Sequence, residues 1–303
     1  TPRVTVETSR TVPHELLDAE LDRFLDAALA EDVGAGDVTT DVVVPPAARA
    51  RARLVARQEG VLAGVRVFVR VFERLTGELL VRPGLADGAR LAPGAVVVEL
   101  EGPARALLVG ERTALNLVQR LSGIATLTAR FVAAARPARV LDTRKTTPGL
   151  RRLEKYAVRC GGGENHRLGL HDEVLVKNNH LDFAGLELLT LLRRLREVHG
   201  ARMRITAEAR DEREALAAIA GDADVLLLDN FTPAALAELC PRLRAAARAR
   251  PRRLELEASG GITLASVGEF ARAGVERVSI GALTHSAPAL DLALRLEPLG
   301  GRP

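Results

Sequence analysis

Leucines recur at positions 17, 21 and 25 within residues 13–31, a four-residue spacing that sets them on one face of a helix. The glycine-rich stretch "EDVGAGDVTTD" (31–41) ends that pattern in a loop, which Asp37 and Thr39 are expected to order. Between 49 and 109 the texture changes. "ARARLVARQEGVLAGV" alternates, and "DGARLAPGAVVVELEG" places short apolar runs between Gly and Pro. Both predict antiparallel strands, with a helix near 66–75. Residues 110–135 carry a helical pattern.

From about 138 onward the pattern is strand then helix, repeated. Apolar runs lie at 139–141, 173–176, 203–207, 224–228, 254–258 and 276–280. Amphipathic segments at 185–199, 211–220, 233–248, 263–272 and 286–296 read as the intervening and closing helices. Six β–α units in this space predict an α/β fold with a parallel sheet, closed or nearly closed into a barrel.

The residues that follow each apolar run change the picture from fold to chemistry. They are Asp142, Arg144 and Lys145; Lys177 and Asn178; Glu208 and Arg210; Asp229 and Asn230; Ser259 to Gly261; and Ser279 with Gly281. Barrel active sites lie at the carboxyl ends of the strands, so these groups are expected to converge on one mouth. The mouth would hold Arg144, Lys145, Lys177, His166 and Arg167 as cations beside the carboxylates Glu208 and Asp229. Glycines at the last strand ends expose backbone N–H groups suited to phosphate. The implied ligand is a phosphorylated sugar together with a carboxylate-bearing molecule, with Mg²⁺ or sugar hydroxyls as partners of the carboxylates.

Composition narrows the alternatives. The chain has 303 residues, a net charge of +4 and only 3% aromatic residues with no tryptophan. The sequence pI of about 9.6 raises the question of nucleic acid, but the basic residues are nearly all arginine, with lysine only at 145, 155 and 177. The densest run, "RLRAAARARPRR" (242–253), reads as an exposed helix face and loop. With one tyrosine and seven phenylalanines there is no aromatic platform for single-stranded RNA. Neither a membrane span nor a signal peptide is expected. Cys160 and Cys240 stand far apart in sequence, so a reducing cytoplasm is the expected compartment.

Six segments together resemble the quinolinate phosphoribosyltransferase family, in order and over nearly the whole chain. They are "EDVGAGDVTTD", "GERTALNLVQRLSGIAT", "LDTRKTTPGLRRLEKYAVRCGGGENHRLGLHDEVLVKNNH", "LLLDNFTP", "LEASGGIT" and "VSIGALTHS". The resemblance implies an N-terminal α+β sandwich domain over 1–117, joined by 287–303, and an open, TIM-like α/β barrel over 118–286, in a homodimer or higher. It implies transfer of phosphoribosyl from phosphoribosyl pyrophosphate to quinolinate with loss of CO₂, giving nicotinate mononucleotide. Arg112 would reach the neighbouring subunit's quinolinate, Arg144, His166 and Arg167 would surround its carboxylates, and Thr143 would also bind substrate. Lys145, Lys177, Glu208 and Asp229 would form the catalytic group around phosphoribosyl pyrophosphate, with Glu208 and Asp229 on Mg²⁺. Ser259, Gly260, Gly261, Gly281 and His285 would bind the 5-phosphate, and Ser279 is a further substrate-binding residue. Two departures stand out: Asn178 replaces the family's usual aspartate in "KDNH", and "TAEAR" (206–210) is less acidic than the usual "EVE" pattern.

Other readings are plainer. His180 is expected to cap or fill a loop, and His171, His14 and His199 to lie at or near the surface. Cys160 reads as a small filler, and Lys155 and Tyr156 carry no assigned role. A related transferase acting on nicotinate, or a paralogue in molybdenum metabolism, is the nearest rival; two acceptor carboxylates require Arg112, Arg144, His166 and Arg167 together. A Schiff-base aldolase would use Lys177. A lipoyl-type carrier at 81–102 is excluded, because that region contains no lysine.

Overall fold

The computed structural model describes residues 19–248, 250 and 252–300. His14, Leu17 and the start of the first expected helix lie outside them. The chain divides into two compact units, one formed by residues up to 125 with those from 288 onward, the other by 126–287.

The first helix, α1 (Ala19–Val33), buries Leu21, Leu25 and Leu29, the continuation of the leucine stripe. A single turn, α2 (Thr40–Val43), follows the glycine-rich loop. Asp37 Oδ1 accepts from the backbone N–H groups of Thr39 and Thr40, both at 2.9 Å, and so orders that loop as expected. Then come β1 (Arg49–Ala56), β2 (Gly60–Val61), α3 (Val65–Leu75), β3 (Leu80–Pro83), β4 (Arg90–Leu91), β5 (Val96–Pro103) and the 31-residue α4 (Ala104–Ala134). Helix α3 is rich in β-branched residues, yet it folds as a helix because Val67, Phe68, Val71 and Phe72 are fully buried on one side. Its arginines pair with acids: Arg70 with Asp22 of α1 and with Glu73, and Arg74 with Asp26.

The second unit contains β6 (Arg139–Leu141), α5 (Arg151–Cys160), β7 (Val174–Val176), α6 (Asn178–Ala184), α7 (Leu188–His199), β8 (Ile205–Ala209), α8 (Glu212–Ala220), β9 (Val225–Asp229), α9 (Pro233–Ala247), β10 (Glu255–Ser259), α10 (Val267–Arg272), β11 (Arg277–Ser279) and α11 (Ala282–His285). A last strand, β12 (Leu292–Leu299), belongs to the first unit.

In the first unit, β12, β1, β5 and β3 form one sheet in that order. Arg51 lies opposite Glu101 and Arg53 opposite Glu99 in the β1–β5 register, and each pair is hydrogen-bonded. The intervening Ala50, Ala52 and Leu54 are buried. The strand alternation therefore sorts arginines to an ion-paired outer face and small apolar residues to the core. Strand β12 corrects the helix expected at 286–296. Leu290, Leu292, Leu294 and Leu296 alternate at a period of two, and residues 292–299 pair antiparallel with all eight residues of β1. Cross-strand pairing decided between two patterns that a short leucine run satisfies equally.

In the second unit the parallel sheet runs β6-β11-β10-β9-β8-β7. Val225 to Leu228 are all buried, the continuous apolar run of a strand covered on both faces. Strands β6 and β7 stand at opposite ends of this order and do not pair, which makes an open α/β barrel. Strands β8, β9 and β10 begin and end one or two residues later than the apolar runs suggest, so Glu208, Asp229 and Ser259 lie inside strands, on rigid backbone, and Ser279 ends β11 within its expected run. The basic run 242–253 is largely neutralised: Arg242 pairs with Glu212, Arg244 with Glu276, Arg250 with Asp222 and Arg252 with Asp224. Among the described residues no helix is long and apolar enough to cross a membrane.

Candidate active site

A cavity of about 690 Å³ opens at the carboxyl ends of the barrel strands, lined entirely by residues of the second unit. All six strands contribute. Thr143, Arg144 and Lys145 follow β6, Lys177 follows β7, Glu208 is the last residue but one of β8, and Asp229, Ser259 and Ser279 end β9 to β11. Gly260 and Gly261 complete the wall after β10. Side chains two apart on a strand share a face, so Leu175 with Lys177 and Leu227 with Asp229 both reach the cavity.

Arg144, His166 and Arg167 form one side. The loop that carries His166 and Arg167 is fixed from beneath. Asp142, fully buried at the end of β6, accepts from His166 N–H at 2.9 Å and from Asn165 Nδ2 at 2.6 Å. Lys155 of α5, only 3% exposed, donates to Asp142 and to the His166 carbonyl at 2.9 Å. Asp142 was expected at the mouth but is buried and does not line the cavity, and Lys155 had no role assigned on sequence. The signal was present, since Lys155 is one of three lysines and lies on the apolar face of an amphipathic helix.

The charges above this base are unevenly balanced. Burial, and then the neighbouring Arg144 charge, lowers the Arg167 pKa. The Nε atoms of Arg144 and Arg167 are both buried without a hydrogen-bond partner. Two guanidiniums facing one cavity with donor capacity in reserve favour a ligand bearing more than one negative group. His166 corrects the expectation of a fifth cation. It is 8% exposed, and burial, followed by the charges of Arg277, Lys155 and Arg167, drives its pKa down to about 3. The imidazole is neutral at physiological pH.

The carboxylates lie on the facing strands. Glu208 is half-buried; burial raises its pKa, the Asp229 charge adds to this, and a backbone N–H from Asn178 at 3.5 Å opposes it. Asp229 accepts from Asn230 Nδ2 at 2.7 Å. Asn230 takes a positive φ of 60°, a conformation asparagine tolerates better than most residues, and its N–H donates to Ser259 O. Asn178 and Asn230 line the cavity, as their places at the strand ends predict, and Asn179 joins them although the sequence reading did not name it. Asn178 Oδ1 is buried without a hydrogen-bond partner, so the residue that replaces the usual aspartate still presents an oxygen there.

The glycines explain themselves by close approach. Gly260 has φ +96°, and a Cβ there would sit 2.9 Å from Asn230 N. A Cβ at Gly281 would meet Lys145 Cδ at 2.8 Å and His285 Nε2 at 3.1 Å. Thus Gly281 and His285, which do not line the cavity wall, adjoin it through Lys145. Thr284 Oγ1 donates to the Lys145 carbonyl at 2.8 Å and holds that turn.

Arg112 lies on α4 in the first unit, exposed, and the cavity-lining residues do not include it. His180 Nδ1 accepts from Lys177 N–H at 2.9 Å, capping α6 as expected. His171 and His199 are exposed, and Cys160 is half-buried. Among the described residues no three His, Cys, Asp or Glu side chains gather to hold a metal ion.

Comparison with known proteins follows this geometry. Residues 37–122 match the model of the quinolinate phosphoribosyl transferase N-terminal domain, and residues 124–295 that of its C-terminal domain. The chain is 41% identical over 277 residues to a probable nicotinate-nucleotide pyrophosphorylase (carboxylating) of Bacillus subtilis, covering 91% of this chain and 93% of that one. It is 35% identical over 289 residues to quinolinate phosphoribosyltransferase (decarboxylating) 1 of Nicotiana glauca, covering 92% and 83%. The crystal structure of NadC from Streptococcus pyogenes superposes with a TM-score of 0.87 at 35% identity, covering 97% of this chain and all of that one.

Proposed function

The chain belongs to the quinolinate phosphoribosyltransferase family, and from that premise we propose that it transfers phosphoribosyl from phosphoribosyl pyrophosphate to the ring nitrogen of quinolinate. Pyrophosphate leaves, the 2-carboxylate departs as CO₂, and the product is nicotinate mononucleotide, a step of NAD biosynthesis. The names "carboxylating" and "decarboxylating" describe this one reaction in opposite directions.

One observation carries the choice of acceptor: Arg144 and Arg167 face the same cavity with buried Nε atoms that lack partners. Each guanidinium can take one carboxylate of a pyridine dicarboxylate in a two-pronged contact. A monocarboxylate such as nicotinate would leave one of them unmatched and repelled by the other. Arg112, supplied by a second subunit, would complete the cationic side; its exposed position on α4 is compatible with an interface role. The protein is then a homodimer or higher.

Lys145 and Lys177 face the sugar phosphate and the departing pyrophosphate, where fixed positive charge stabilises the leaving group as the ribosyl centre becomes cationic. Gly260 and Gly261, both in left-handed backbone, bring main-chain N–H groups close to the 5-phosphate, beside Ser259 and Ser279. Glu208 and Asp229 fit Mg²⁺. Burial, and then the charge of Asp229, raises the Glu208 pKa, and Mg²⁺ commonly takes one or two carboxylates and completes its shell with substrate oxygens and water. When bound there, Mg²⁺ neutralises developing charge on the pyrophosphate. Cys160 and Cys240 form no disulfide, which supports a reducing, cytoplasmic setting.

The test is to incubate the protein with quinolinate, phosphoribosyl pyrophosphate and Mg²⁺ and to measure CO₂ and nicotinate mononucleotide. Both products are expected, with loss of turnover on chelation by EDTA. Equal turnover of nicotinate without CO₂ release would replace this acceptor with the monocarboxylate.

A further inference from the structure

Beneath the acceptor side of the cavity lies a buried carboxylate that the reaction described above does not use. Glu257 of β10 is fully buried. It sits opposite Arg277 in the β10–β11 register, and Arg277 is itself 3% exposed. Arg277 Nε lies 2.9 Å from Glu257 Oε2, while its Nη1 donates to Glu255 at 3.2 Å. On its other side Glu257 Oε1 lies 3.6 Å from His166 Nε2. Ser279 is the other polar side chain beside Glu257, and neither carboxyl oxygen has a hydrogen bond of good geometry, a state that calls for an explanation in a buried carboxylate.

The other His166 nitrogen is accounted for. Nδ1 accepts from the N–H of Arg167 at 2.8 Å. A neutral imidazole carries one proton, so with Nδ1 acting as acceptor the proton resides on Nε2, directed at Glu257. The main-chain groups of His166 are also fixed, its N–H by Asp142 and its carbonyl by Lys155. Only the ring edge and faces remain to border the cavity. Contacts of 3.6 Å exceed hydrogen-bond length, and contacts of this kind tighten when a ligand closes the site.

We propose that Glu257 is a positioning residue that holds His166 as the neutral Nε2–H tautomer, so that the imidazole is an uncharged wall for the pyridine ring rather than a ligand of its carboxylates. This rests on the reading that a pyridine dicarboxylate binds against Arg144 and Arg167. Those arginines then take the carboxylates, and the ring lies between them and a flat, uncharged side chain. Arg277, 2.9 Å from Oε2, leaves Oε1 turned toward Nε2, where a carboxyl oxygen can accept. Burial pushes the Glu257 pKa up and the Arg277 charge opposes it most. The same arrangement turns Nε2 toward Glu257 and uses Nδ1 as an acceptor from Arg167 N–H, so neither nitrogen is set to protonate the ring carbon after CO₂ departs.

The proposal is tested first in the wild-type protein, by nitrogen NMR of histidine-labelled enzyme, with His166→Gln identifying the signal. The neutral Nε2–H pattern is expected from about pH 6 to 8. A signal from the Nδ1–H tautomer or from imidazolium would overturn it without any variant of Glu257. Calorimetric titration then separates the two ligands. Glu257→Leu is expected to weaken quinolinate binding about tenfold and leave phosphoribosyl pyrophosphate within about twofold. Glu257→Gln, whose amide oxygen still accepts from Nε2, is expected to restore quinolinate binding to within about threefold. Equal weakening of both ligands, or unchanged quinolinate affinity in Glu257→Leu, would overturn the assignment. Wild-type protein that binds phosphoribosyl pyrophosphate but no quinolinate would instead remove the premise, and would do so before any variant is made.

Discussion

Lys155 and Asp142 form a buried ion pair whose second purpose is to hold the backbone of His166: Lys155 donates to the His166 carbonyl, and Asp142 accepts from the His166 N–H. Burial pushes the Asp142 carboxyl up and the Lys155 ammonium down, and the contact between them opposes both shifts. Removing one partner leaves an uncompensated buried charge, which costs about 3–5 kcal/mol. Lys155→Met should therefore lower the urea midpoint strongly and raise the quinolinate KM more than the phosphoribosyl pyrophosphate KM. Lys155→Met combined with Asp142→Asn should recover part of the stability, since no lone charge remains. Full stability in Lys155→Met, measured by urea unfolding, would show that the pair is dispensable.

Gly260 tests the phosphate side. Its φ of +96° strains any L side chain, and a Cβ would press on both the side-chain amide and the backbone N of Asn230. Gly260→Ala should cost about 1–3 kcal/mol and displace Asn230, which holds Asp229. Steady-state kinetics should show a raised KM for phosphoribosyl pyrophosphate, with quinolinate affinity by calorimetry little changed. A variant with wild-type kinetics would separate Gly260 from the sugar-phosphate site.

Stability should fall with acidification through His166. The unfolded chain takes up a proton near the ordinary histidine pKa of 6.5, whereas the folded protein resists until about 3. Between those values the unfolded state binds more protons, so stability rises with pH there and is flat, for this group, above it. The slope contributed is at most about 1.4 kcal/mol per pH unit. His166→Gln should lack this component, so its thermal midpoint should fall less steeply than that of the wild type between pH 6 and 4. Parallel curves for the two proteins would mean that the imidazole charges in the folded state.

Much of this site could be read from the chain because parallel strands deliver their last residues to one place. Six apolar runs, each followed by charge or glycine, were enough to gather Lys145, Lys177, Glu208 and Asp229 at a single mouth. What escaped the sequence was of two kinds. The charge state of His166 depends on burial and on the charge of Arg277, which is 111 positions away and shares Glu257 with it. The buried partners Asp142 with Lys155, and Glu257 with Arg277, are invisible to periodicity because a charged residue on an apolar face looks like an error until its counter-charge is placed. The strand at 292–299 was hidden for a related reason, since its partner β1 lies more than two hundred residues earlier.

The shared site is the prediction with the widest consequence. Arg112 is exposed on the first unit, and the cavity is lined by the second unit alone. If a neighbouring subunit supplies Arg112, then Arg112→Ala and Lys177→Ala should each abolish turnover, the first while leaving phosphoribosyl pyrophosphate binding largely intact. The two variants damage opposite halves of each composite site. In a mixed dimer, one site receives both lesions and the other receives neither. Random exchange of equal amounts gives half mixed dimers with one intact site in two, so activity should recover to about one quarter of wild type. Refolding or prolonged incubation of the mixture, followed by the CO₂ assay, measures this directly. Recovery near one quarter requires two chains per site. A mixture as inactive as its parts, with subunit exchange verified by mass-labelled protomers, would mean that Arg112 acts within its own chain or not at all.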